Sequence, residues 1–475
     1  MALKTVHIVM RSTTTLPTLF LLCISSNASA QAGEPDYSFF TGNGFDGRIW
    51  SIDTMDDGRI LAGGDFTNFQ NTAAPHVIRL WPTGERDMSF AFPGTDTSAR
   101  AVACLPTGGS LVGGYFNSPS PHLVRLLENG SPDPGFDIGA GPDSAVLTLA
   151  LLEDGRCIVG GRFNSMDGQP RSRLARINVD GSNDPEFLQY GSGLNGEVRA
   201  IAVQSDGRIV VGGGFTMYDG TVCGGLIRLL PDGQPDPEFV AGTGSNATVW
   251  CIAESSDGGC FVGGEFTEWN GQPIAFLAHL LSDGSLDSAY PNGASPNGPV
   301  LALSSTSDDR LLMGGMFTAV GTFPRNRIAR LLPNGAMDAT FVTGGGFGGF
   351  SGYTQVCDLL QSQGDRVYVA GRFGNYQNFY VNMLCRLHNE VEVAVPDQSG
   401  DQPARWIAHP GVGKFELFCN SEAEVEVLDA MGRCFLRSMH RPPSSIVDIG
   451  ARAAGMYFIS TSVAGERMTW RVHHE

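Results

Sequence analysis

The residues that could do chemistry form no recognisable catalytic or metal-binding motif. The nine histidines show neither an H-x-H nor an H-E-x-x-H spacing, so the sequence does not support a zinc hydrolase. It contains no serine nucleophile elbow and no glycine-rich phosphate loop before a helix. His473 and His474 stand at the end of the sequence, where we interpret them as a solvated tail rather than as a ligand pair. We therefore expect a protein that is not an enzyme.

The aspartates indicate turns rather than a site, because many of them directly precede glycine. Residues 53–58 superficially resemble a calcium loop, but they lack its ligand spacing and its closing glutamate. Residues 255–259 resemble part of a sialidase Asp-box without the Thr-Trp that should follow. We expect no cofactor, and calcium is a candidate that no motif supports. A glycosidase needs two carboxylates facing each other across a cleft. The sequence cannot place such a pair, so a carbohydrate-active enzyme (glycosidase or lyase) stays as the alternative.

Aromatic residues recur three positions after a repeated phenylalanine. One interpretation is packing between repeats or anchoring of a loop. The other is a ring of aromatic platforms that stack on the faces of sugar rings. The candidate ligand-face aromatics are Phe69, Tyr218, Trp269 and Tyr376.

A repeat of about fifty residues must position these side chains. Each copy contains two glycines, one variable residue and a phenylalanine, and the seventh copy keeps only the second glycine. The phenylalanines are Phe66, Phe116, Phe163, Phe215, Phe266, Phe317 and Phe373. The variable residues before them are Asp65, Tyr115, Arg162, Gly214, Glu265, Met316 and Arg372. Such variation suits one specific ligand, but it equally suits no ligand.

Each repeat predicts four short antiparallel strands. In the fourth copy these are residues 198–203, 208–215, 226–230 and 236–239, separated by Asp-Gly and Pro-Asp-Gly turns. Glycine weakens a strand, so its recurrence inside the second strand predicts close approach of another backbone. Four short strands in about fifty residues are typical of a β-propeller blade.

The fourth segment of the repeat is offset from the other three. Its Asp-x-x-Phe or Asp-x-x-Tyr signature occurs seven times, and the first copy precedes every di-glycine. The last repeat has no copy of its own, so we predict that residues 36–39 complete it. The result is a seven-bladed β-propeller over residues 31–392, closed by the N-terminal strand. An open solenoid is the alternative, and it would not need the offset. The signatures end at Phe39, Phe90, Phe136, Phe187, Phe239, Tyr290 and Phe341.

These repeats resemble a known family. The G-G-x-F-T core, the Arg-Leu-x-Pro-x-Gly turn and the Gly-x-x-Asp-x-x-Phe ending are similar to the delta-60 repeat of bacterial secreted β-propellers. The resemblance covers about 360 residues in seven copies. It implies a secreted propeller and brings no catalytic residues with it.

The last eighty residues have a different pattern. Residues 393–405 are expected to be a linker, and alternating segments after it predict a small antiparallel β-sandwich. Residues 409–411, 427–433 and 454–458 resemble landmarks of the C-terminal sorting domain (type A) of the type IX secretion system of Bacteroidota. The resemblance implies export across the outer membrane, with the secretion machinery as a partner of residues 406–475. A generic immunoglobulin-like module is the alternative.

The N-terminus is interpreted as a signal peptide. Lys4 and Arg11 precede a short apolar run, and Ala28-Ser29-Ala30 is a small-residue cleavage site, so residues 1–30 should be removed. Loss of these two cations leaves 29 Lys and Arg against 49 Asp and Glu, a net charge of −20. Nucleic acid is therefore an unfavourable partner. No later stretch is long enough to be a transmembrane segment.

Nine cysteines remain after residue 30. Most stand in apolar strand-like runs, where we interpret them as small buried hydrophobes. Cys419 and Cys434 are the pair to check first for a disulfide, since export would place the protein in an oxidising compartment.

Taken together, the sequence predicts an all-β chain, a seven-bladed propeller followed by a small immunoglobulin-like sandwich. The expected location is secreted, extracellular or at the outer cell surface. The expected role is a non-enzymatic binding or adhesion scaffold with a glycan or protein ligand. A structural component of the cell surface is a further alternative.

Overall fold

The computed structural model describes residues 31–389, apart from 189–191, 292, 307–308, 351–352, 363–365 and 378, and seven strands between residues 404 and 474. The predicted signal peptide, residues 1–30, lies outside the described residues, as do positions 393–403 of the predicted linker. The chain divides into two compact units, residues 1–392 and residues 393–475.

The first unit contains seven three-stranded antiparallel sheets of one design, in which the first strand pairs with the second and the second with the third. The first strands are Ile49–Thr54, Ala99–Cys104, Val146–Leu151, Val198–Val203, Val249–Glu254, Val300–Ser305 and Gln355–Ser362. The second strands are Ile60–Gly64, Ser110–Gly114, Cys157–Gly161, Ile209–Gly213, Cys260–Gly264, Leu311–Gly315 and Arg366–Arg372. The third strands are Val77–Leu80, Leu123–Leu126, Leu174–Ile177, Leu226–Leu229, Leu277–Leu280, Ile328–Leu331 and Leu384–His388.

Short two-residue strands form hairpins in the loop between the second and third strands of five repeats. They are Asn68–Phe69 with Thr72–Ala73, Ser165–Met166 with Gln169–Pro170, Met217–Tyr218 with Thr221–Val222, Ala319–Val320 with Phe323–Pro324, and Asn375–Tyr376 with Phe379–Tyr380. Phe347–Gly348 adds a further strand to the last of these hairpins.

The predicted fourth strand was wrong, because its segment forms a turn held by one isolated β-bridge. In the fourth repeat this segment forms a single bridge, between Pro235 and Leu229 of the third strand. The Asp236 side chain then accepts the N–H of Glu238 at 2.9 Å, and the Asp236 carbonyl accepts the N–H of Phe239 at 3.2 Å. These turn hydrogen bonds use the backbone groups that a strand would need.

An arginine of the third strand holds this turn in place. The Arg228 Nε donates to Asp236 Oδ2 at 2.7 Å, and the guanidinium carbon lies 4.5 Å from the centre of the Phe239 ring. We call this set the Arg–Asp–Phe cluster. The arginine and aspartate pairs in the other repeats are Arg79–Asp87, Arg125–Asp133, Arg176–Asp184 and Arg330–Asp338, with His279–Asp287 in the fifth repeat.

The N-terminal segment supplies the missing cluster of the last repeat, as a turn rather than as the predicted strand. Pro35 forms a β-bridge with Leu387, and the Asp36 N–H donates to the carbonyl of Arg386 at 2.8 Å. The Arg386 Nε donates to Asp36 Oδ2 at 2.9 Å, and its guanidinium lies 5.1 Å from the centre of the Phe39 ring. Residues about 350 positions apart therefore rebuild the arrangement that the other repeats make locally.

Neighbouring sheets share the hydrophobic core. Seven buried clusters in the described part of the chain each combine side chains from two sheets. One of them joins Ile49 and Ile60 of the first repeat with Tyr368 and Ala370 of the seventh. The first strands contact one another in chain order, and Ile49–Thr54 also contacts Gln355–Ser362.

The glycine pair permits this close packing, and the predicted backbone approach is confirmed. A Cβ on Gly212 would lie 2.7 Å from Val249 Cγ1 in the first strand of the next sheet. A Cβ on Gly213 would lie 2.0 Å from the carbonyl oxygen of Glu197. The first glycine thus leaves room for a side chain of the next sheet. The second glycine leaves room for the backbone directly before the first strand of the same repeat.

The second unit is also made of antiparallel β-strands. One sheet contains Ala404–His409, Lys414–Cys419 and Ser444–Asp448, and the other contains Ala423–Asp429, Cys434–His440, Gly455–Val463 and Glu466–His474. The alternating segments predicted from the sequence fall within these strands. The side chains of Cys419 and Cys434 and the landmark residues Pro410, Gly411 and 430–433 lie outside the described residues.

The seven cysteines whose side chains are described are all free thiols, and five of them are buried. This agrees with the interpretation that they are small apolar side chains. Among the described residues, no helix is long and apolar enough to span a membrane.

Candidate functional site

A cavity of about 220 Å³ is surrounded by all seven first strands. In each first strand, the residue that lines the cavity directly follows an apolar residue. This apolar residue is Ile49 in the first repeat, Ala99 in the second and a valine in the other five. We call this cavity the central pocket. The seven strand residues that line it are Trp50, Arg100, Leu147, Arg199, Trp250, Leu301 and Cys357.

Each of these seven residues occupies a β-bulge. In the fourth repeat, Val198 pairs with Gly213 and Ala200 with Gly212, so Arg199 has no partner on the second strand. The other six sheets shift register at the same point. A bulge changes the direction of the side chain of its extra residue, and this residue has no partner on the adjacent strand.

The bulge depends on the second glycine. Because Gly213 has no Cβ, the carbonyl of Glu197 can approach and accept the N–H of Gly214 at 2.9 Å. The same contact of the second glycine with the carbonyl before the bulge recurs in every repeat, including Gly371 with Gln355 in the seventh. The repeated scaffold therefore presents one side chain per repeat to the central pocket.

Arginine and tryptophan side chains stack on one another around the pocket. The Trp50 ring contacts two guanidinium groups, whose carbons lie 4.3 Å (Arg48) and 3.4 Å (Arg100) from the centre of the ring. The Arg199 guanidinium lies 4.2 Å from the centre of the Trp250 ring. Cation–π contacts of this kind hold a guanidinium plane in a fixed orientation.

Two carboxylates balance part of this positive charge. Asp65 accepts the indole N–H of Trp50 at 2.9 Å and the hydroxyl of Ser98 at 2.6 Å, and it lies 3.9 Å from Arg48. Glu197 is shared, because Arg162 and Arg199 each approach it to 2.5 Å.

Arg100 has no such partner, since the structure gives it neither an ion pair nor a hydrogen bond within the described residues. Burial is the largest influence on its pKa and lowers it to about 10, and the charge of Arg199 acts in the same direction. Tyr115 and Asp65 oppose this shift. The guanidinium remains protonated at neutral pH, so a cation faces the pocket without a counter-ion.

Two further unmatched donors lie at the same place. The indole N–H of Trp250 and the Nε–H of Arg48 are buried and have no acceptor among the described residues. A buried donor without an acceptor costs about 1–3 kcal/mol. A ligand oxygen at this point would remove that cost.

The remaining wall offers acceptors and apolar surface. Glu265 and Met316, two of the variable residues of the G-G-x-F motif, line the pocket together with Gln355. The sequence did not decide whether the variable residue of the motif serves a ligand. Two of the seven variable residues, Glu265 and Met316, lie in the wall of the pocket. Burial raises the pKa of Cys357 to about 12, so this thiol is not an activated nucleophile.

Two buried carboxyl groups on first strands are the nearest approach to a catalytic pair. Burial raises the pKa of Asp358 to about 7, with a smaller contribution from Asp53, and burial raises the pKa of Asp53 as well. Backbone N–H groups already occupy all four oxygens, however. Asp358 accepts from Ile52 and Leu359, and Asp53 accepts from Cys104 and Thr54. These contacts join neighbouring first strands, which is a structural role.

The four candidate ligand-face aromatics were a wrong prediction for the site. Phe69, Tyr218, Trp269 and Tyr376 are at most 2% exposed, so none can stack on a sugar. Tyr218 instead donates its hydroxyl hydrogen to the carbonyl of Gly233 at 3.0 Å. Their backbones form bridges or ladder pairs with the segment that enters the first strand, for example Trp269 with Ser245. The alternative interpretation, a loop anchor, describes them.

Sequence reasoning missed Trp50, Trp250, Arg100 and Arg199. The sequence feature that marks them is a position in the first strand that differs from repeat to repeat and directly follows an apolar residue in every repeat. A sequence pattern assigns the direction of a strand side chain by strict alternation between the two faces of the sheet. A β-bulge breaks this alternation, and the hydrophobic pattern gives no sign of it. Within the described residues, no group of three or more His, Cys, Asp or Glu side chains is placed to hold a metal ion.

Comparison with known proteins identifies the fold. Six segments match the model of a family described as a domain of unknown function (DUF5122) beta-propeller, and the chain has a β-propeller fold accordingly. The matched residues are 56–90, 105–136, 152–187, 204–239, 256–290 and 306–341. No curated protein matches the chain.

Several solved structures share low sequence identity with the chain. The extracellular domain of a hybrid two component system from B. thetaiotaomicron is 10% identical, with 90% of this chain and 69% of that chain covered and a TM-score of 0.37. PorZ, a surface component of the type-IX secretion system of Porphyromonas gingivalis, is 13% identical, with 92% and 52% covered and a TM-score of 0.28. YCF48 from Cyanidioschyzon merolae is 12% identical, with 74% and 98% covered and a TM-score of 0.40.

Proposed function

We propose that this chain is an exported, non-enzymatic binding protein whose ligand site is the central pocket of a closed seven-bladed β-propeller. The proposal rests on one observation. The scaffold positions repeat from sheet to sheet, whereas the bulge residues that face the pocket are Trp, Arg, Leu, Arg, Trp, Leu and Cys. A scaffold alone places no demand on these side chains, so their concentration of cations and indoles favours a ligand.

Closure of the ring is supported by the contacts of the first and seventh repeats. Asp36 and Phe39 complete the last Arg–Asp–Phe cluster, and Asp358 accepts a hydrogen bond from Ile52 of the first strand at 2.8 Å. A closed ring leaves no sheet edge at either end of the repeat series. The resemblance of the repeats to the delta-60 repeat supports the same arrangement.

Binding is favoured over catalysis by the state of the acidic groups. The oxygens of Asp53 and Asp358 are engaged by backbone N–H groups, and Asp65 and Glu197 pair with arginines. A hydrolase requires a carboxyl group within reach of the reacting atoms. Among the described residues that line the central pocket, only Glu265 carries a carboxylate, so an enzymatic role of this pocket would depend on Glu265.

Export to the cell surface is part of the proposal and is supported by two sequence features. Residues 1–30 have the order of charge, apolar run and small residues typical of a signal peptide. The sorting-domain landmarks in residues 406–475 favour the type IX route and a location outside the cell. A purely structural surface role would not need the unmatched donors of Arg100 and Trp250.

The proposal is tested by a binding screen of the full chain against an array of glycans and polysaccharides, with released product measured in the same samples. We expect at least one carbohydrate to bind without product. That result should be lost in Trp250→Ala but kept in Trp81→Ala, because Trp81 does not line the pocket and is 42% exposed. Product release would contradict the non-enzymatic role, and binding that survives Trp250→Ala would contradict the site.

A further inference from the structure

We infer that the central pocket recognises a saccharide that carries a single carboxylate, the sugar-acid class. This inference rests on the proposed function and specifies its ligand. It follows from the net charge of the pocket, from the unmatched donors of Arg48, Arg100 and Trp250, and from the size of the cavity.

The charges near the pocket leave one positive charge uncompensated. The charged lining residues are Arg48, Arg100, Arg199 and Glu265. Their ion-pair partners are Asp65, Glu197 and, through Glu197, Arg162, so the whole set has four cations and three anions. The chain as a whole has a net charge of −18, so this positive site stands against the general charge of the protein. One uncompensated cation matches one carboxylate. A phosphate ester or a polyanion would bring additional negative charge towards Glu265.

Arg100 is the group that should hold the carboxylate. A guanidinium offers donors in a planar fork that matches the two oxygens of a carboxylate. Arg100 is stacked on Trp50 at 3.4 Å, which fixes its plane, and the structure provides no protein carboxylate to pair with it among the described residues. Arg100 is partly buried, and a partly buried cation without a counter-ion is costly, so a ligand carboxylate would remove this cost.

The rest of the lining suits hydroxyl groups. The buried N–H of Trp250 needs an acceptor, and Glu265 and Gln355 offer acceptors for hydroxyl hydrogens. Leu147, Leu301 and Met316 supply apolar contacts of the kind that the C–H faces of a sugar ring make. The cavity of about 220 Å³ is smaller than a typical pocket for a drug-sized molecule, and it fits one sugar unit better than a long chain.

The test compares three probes of the same ring geometry by calorimetry on the full chain: galacturonate, its methyl ester and galactose. The ester keeps the ring and its hydroxyls and removes only the charge. We expect galacturonate to bind ~10-fold or more tightly than the ester or galactose, because only galacturonate can form a charge-assisted hydrogen bond with Arg100.

Arg100→Gln should abolish this preference, so that galacturonate and its ester bind alike. Arg100→Lys should keep a weaker preference, because it keeps the charge but loses the planar fork. Arg171→Gln is the matched control, since Arg171 does not line the pocket. Removal of a partly buried cation that has no counter-ion should not lower the melting temperature, which separates loss of recognition from loss of folding.

The outcomes distinguish the inference from the proposed function. If the ester or galactose binds as well as galacturonate, the sugar-acid inference is wrong while the pocket remains a binding site. If galacturonate does not bind, and a neutral glycan from the array binds to the chain but not to the Trp250→Ala variant, the sugar-acid inference is wrong and the proposed function still holds. If no probe and no array carbohydrate binds, both fail.

Discussion

Gly213→Ala should be among the most destabilising single substitutions in the chain, with a loss of about 3 kcal/mol in the free energy of unfolding. Its Cβ would lie 2.0 Å from the carbonyl oxygen of Glu197. That carbonyl is fixed, because it accepts the N–H of Gly214 at 2.9 Å. The backbone must therefore shift at the bulge, which is buried and shared with the adjacent sheet. The measurement is the midpoint of urea unfolding.

Gly214→Ala is the matched control, one residue further along the chain. A Cβ on Gly214 meets nothing closer than 3.4 Å, an ordinary contact distance. The equivalent position is Asp65, Tyr115 or Arg162 in other repeats, so the backbone there accepts a side chain. We expect this variant to change stability by less than about 1 kcal/mol. Equal effects of the two substitutions would contradict the role assigned to the second glycine.

Asp36→Ala should destabilise the repeat unit by about 3 kcal/mol, the usual consequence of removing one partner of a buried ion pair. Asp36 is 7% exposed in its side chain, and its loss removes the carboxylate that both Arg386 and Arg366 contact. The same change removes the hydrogen bonds that Ser38 makes to Asp36, which hold the closing turn. Asp56→Ala, at an exposed position, is the control and should have little effect. An unchanged unfolding midpoint for Asp36→Ala would contradict closure by the N-terminal segment.

The pH dependence of stability gives an independent measure of the same contact. Burial alone would raise the pKa of Asp36, but the hydrogen bonds from Ser38 and the charge of Arg386 outweigh it and lower the pKa to about 2. The unfolded chain then binds this proton first, so the stabilisation is present above about pH 4 and is lost as the pH falls towards 2. Asp36→Asn should flatten the stability profile in this window. An undiminished acid dependence would mean that other carboxylates account for it.

The fold was largely predictable because it is repeated. One copy of G-G-x-F is weak evidence, but seven in register identified the unit, and the glycine pair predicted a close backbone approach. The offset Asp-x-x-Phe signature placed Asp36 beside the last repeat, where Arg386 meets it. The fourth strand was over-predicted, because an aspartate that accepts the N–H two residues ahead forms a turn while its sequence still appears extended.

The site was less predictable for two physical reasons. The sequence left two interpretations open for aromatics such as Trp269 and Tyr218, packing or sugar stacking, and the pattern alone does not distinguish them. Their burial decides for packing, because large side chains fill the space between loop and sheet. The pocket residues stand in strands, where alternation assigns them no special direction. A β-bulge in the first strand turns these side chains towards the pocket. The bulge depends on the second glycine of the motif, which stands on the neighbouring strand and is distant in sequence from the residue that it affects.

The account is tested most directly by hydroxyl-radical footprinting of the full chain with and without galacturonate at a saturating concentration. Mass spectrometry would follow the oxidation of each tryptophan. Trp50 and Trp250 line the central pocket, whereas Trp81 is exposed elsewhere and Trp269 is fully buried. We predict that the ligand protects Trp250 and Trp50 and leaves Trp81 and Trp269 unchanged. Protection of Trp81, or of other residues with Trp250 unaffected, would contradict the assignment of the central pocket as the binding site.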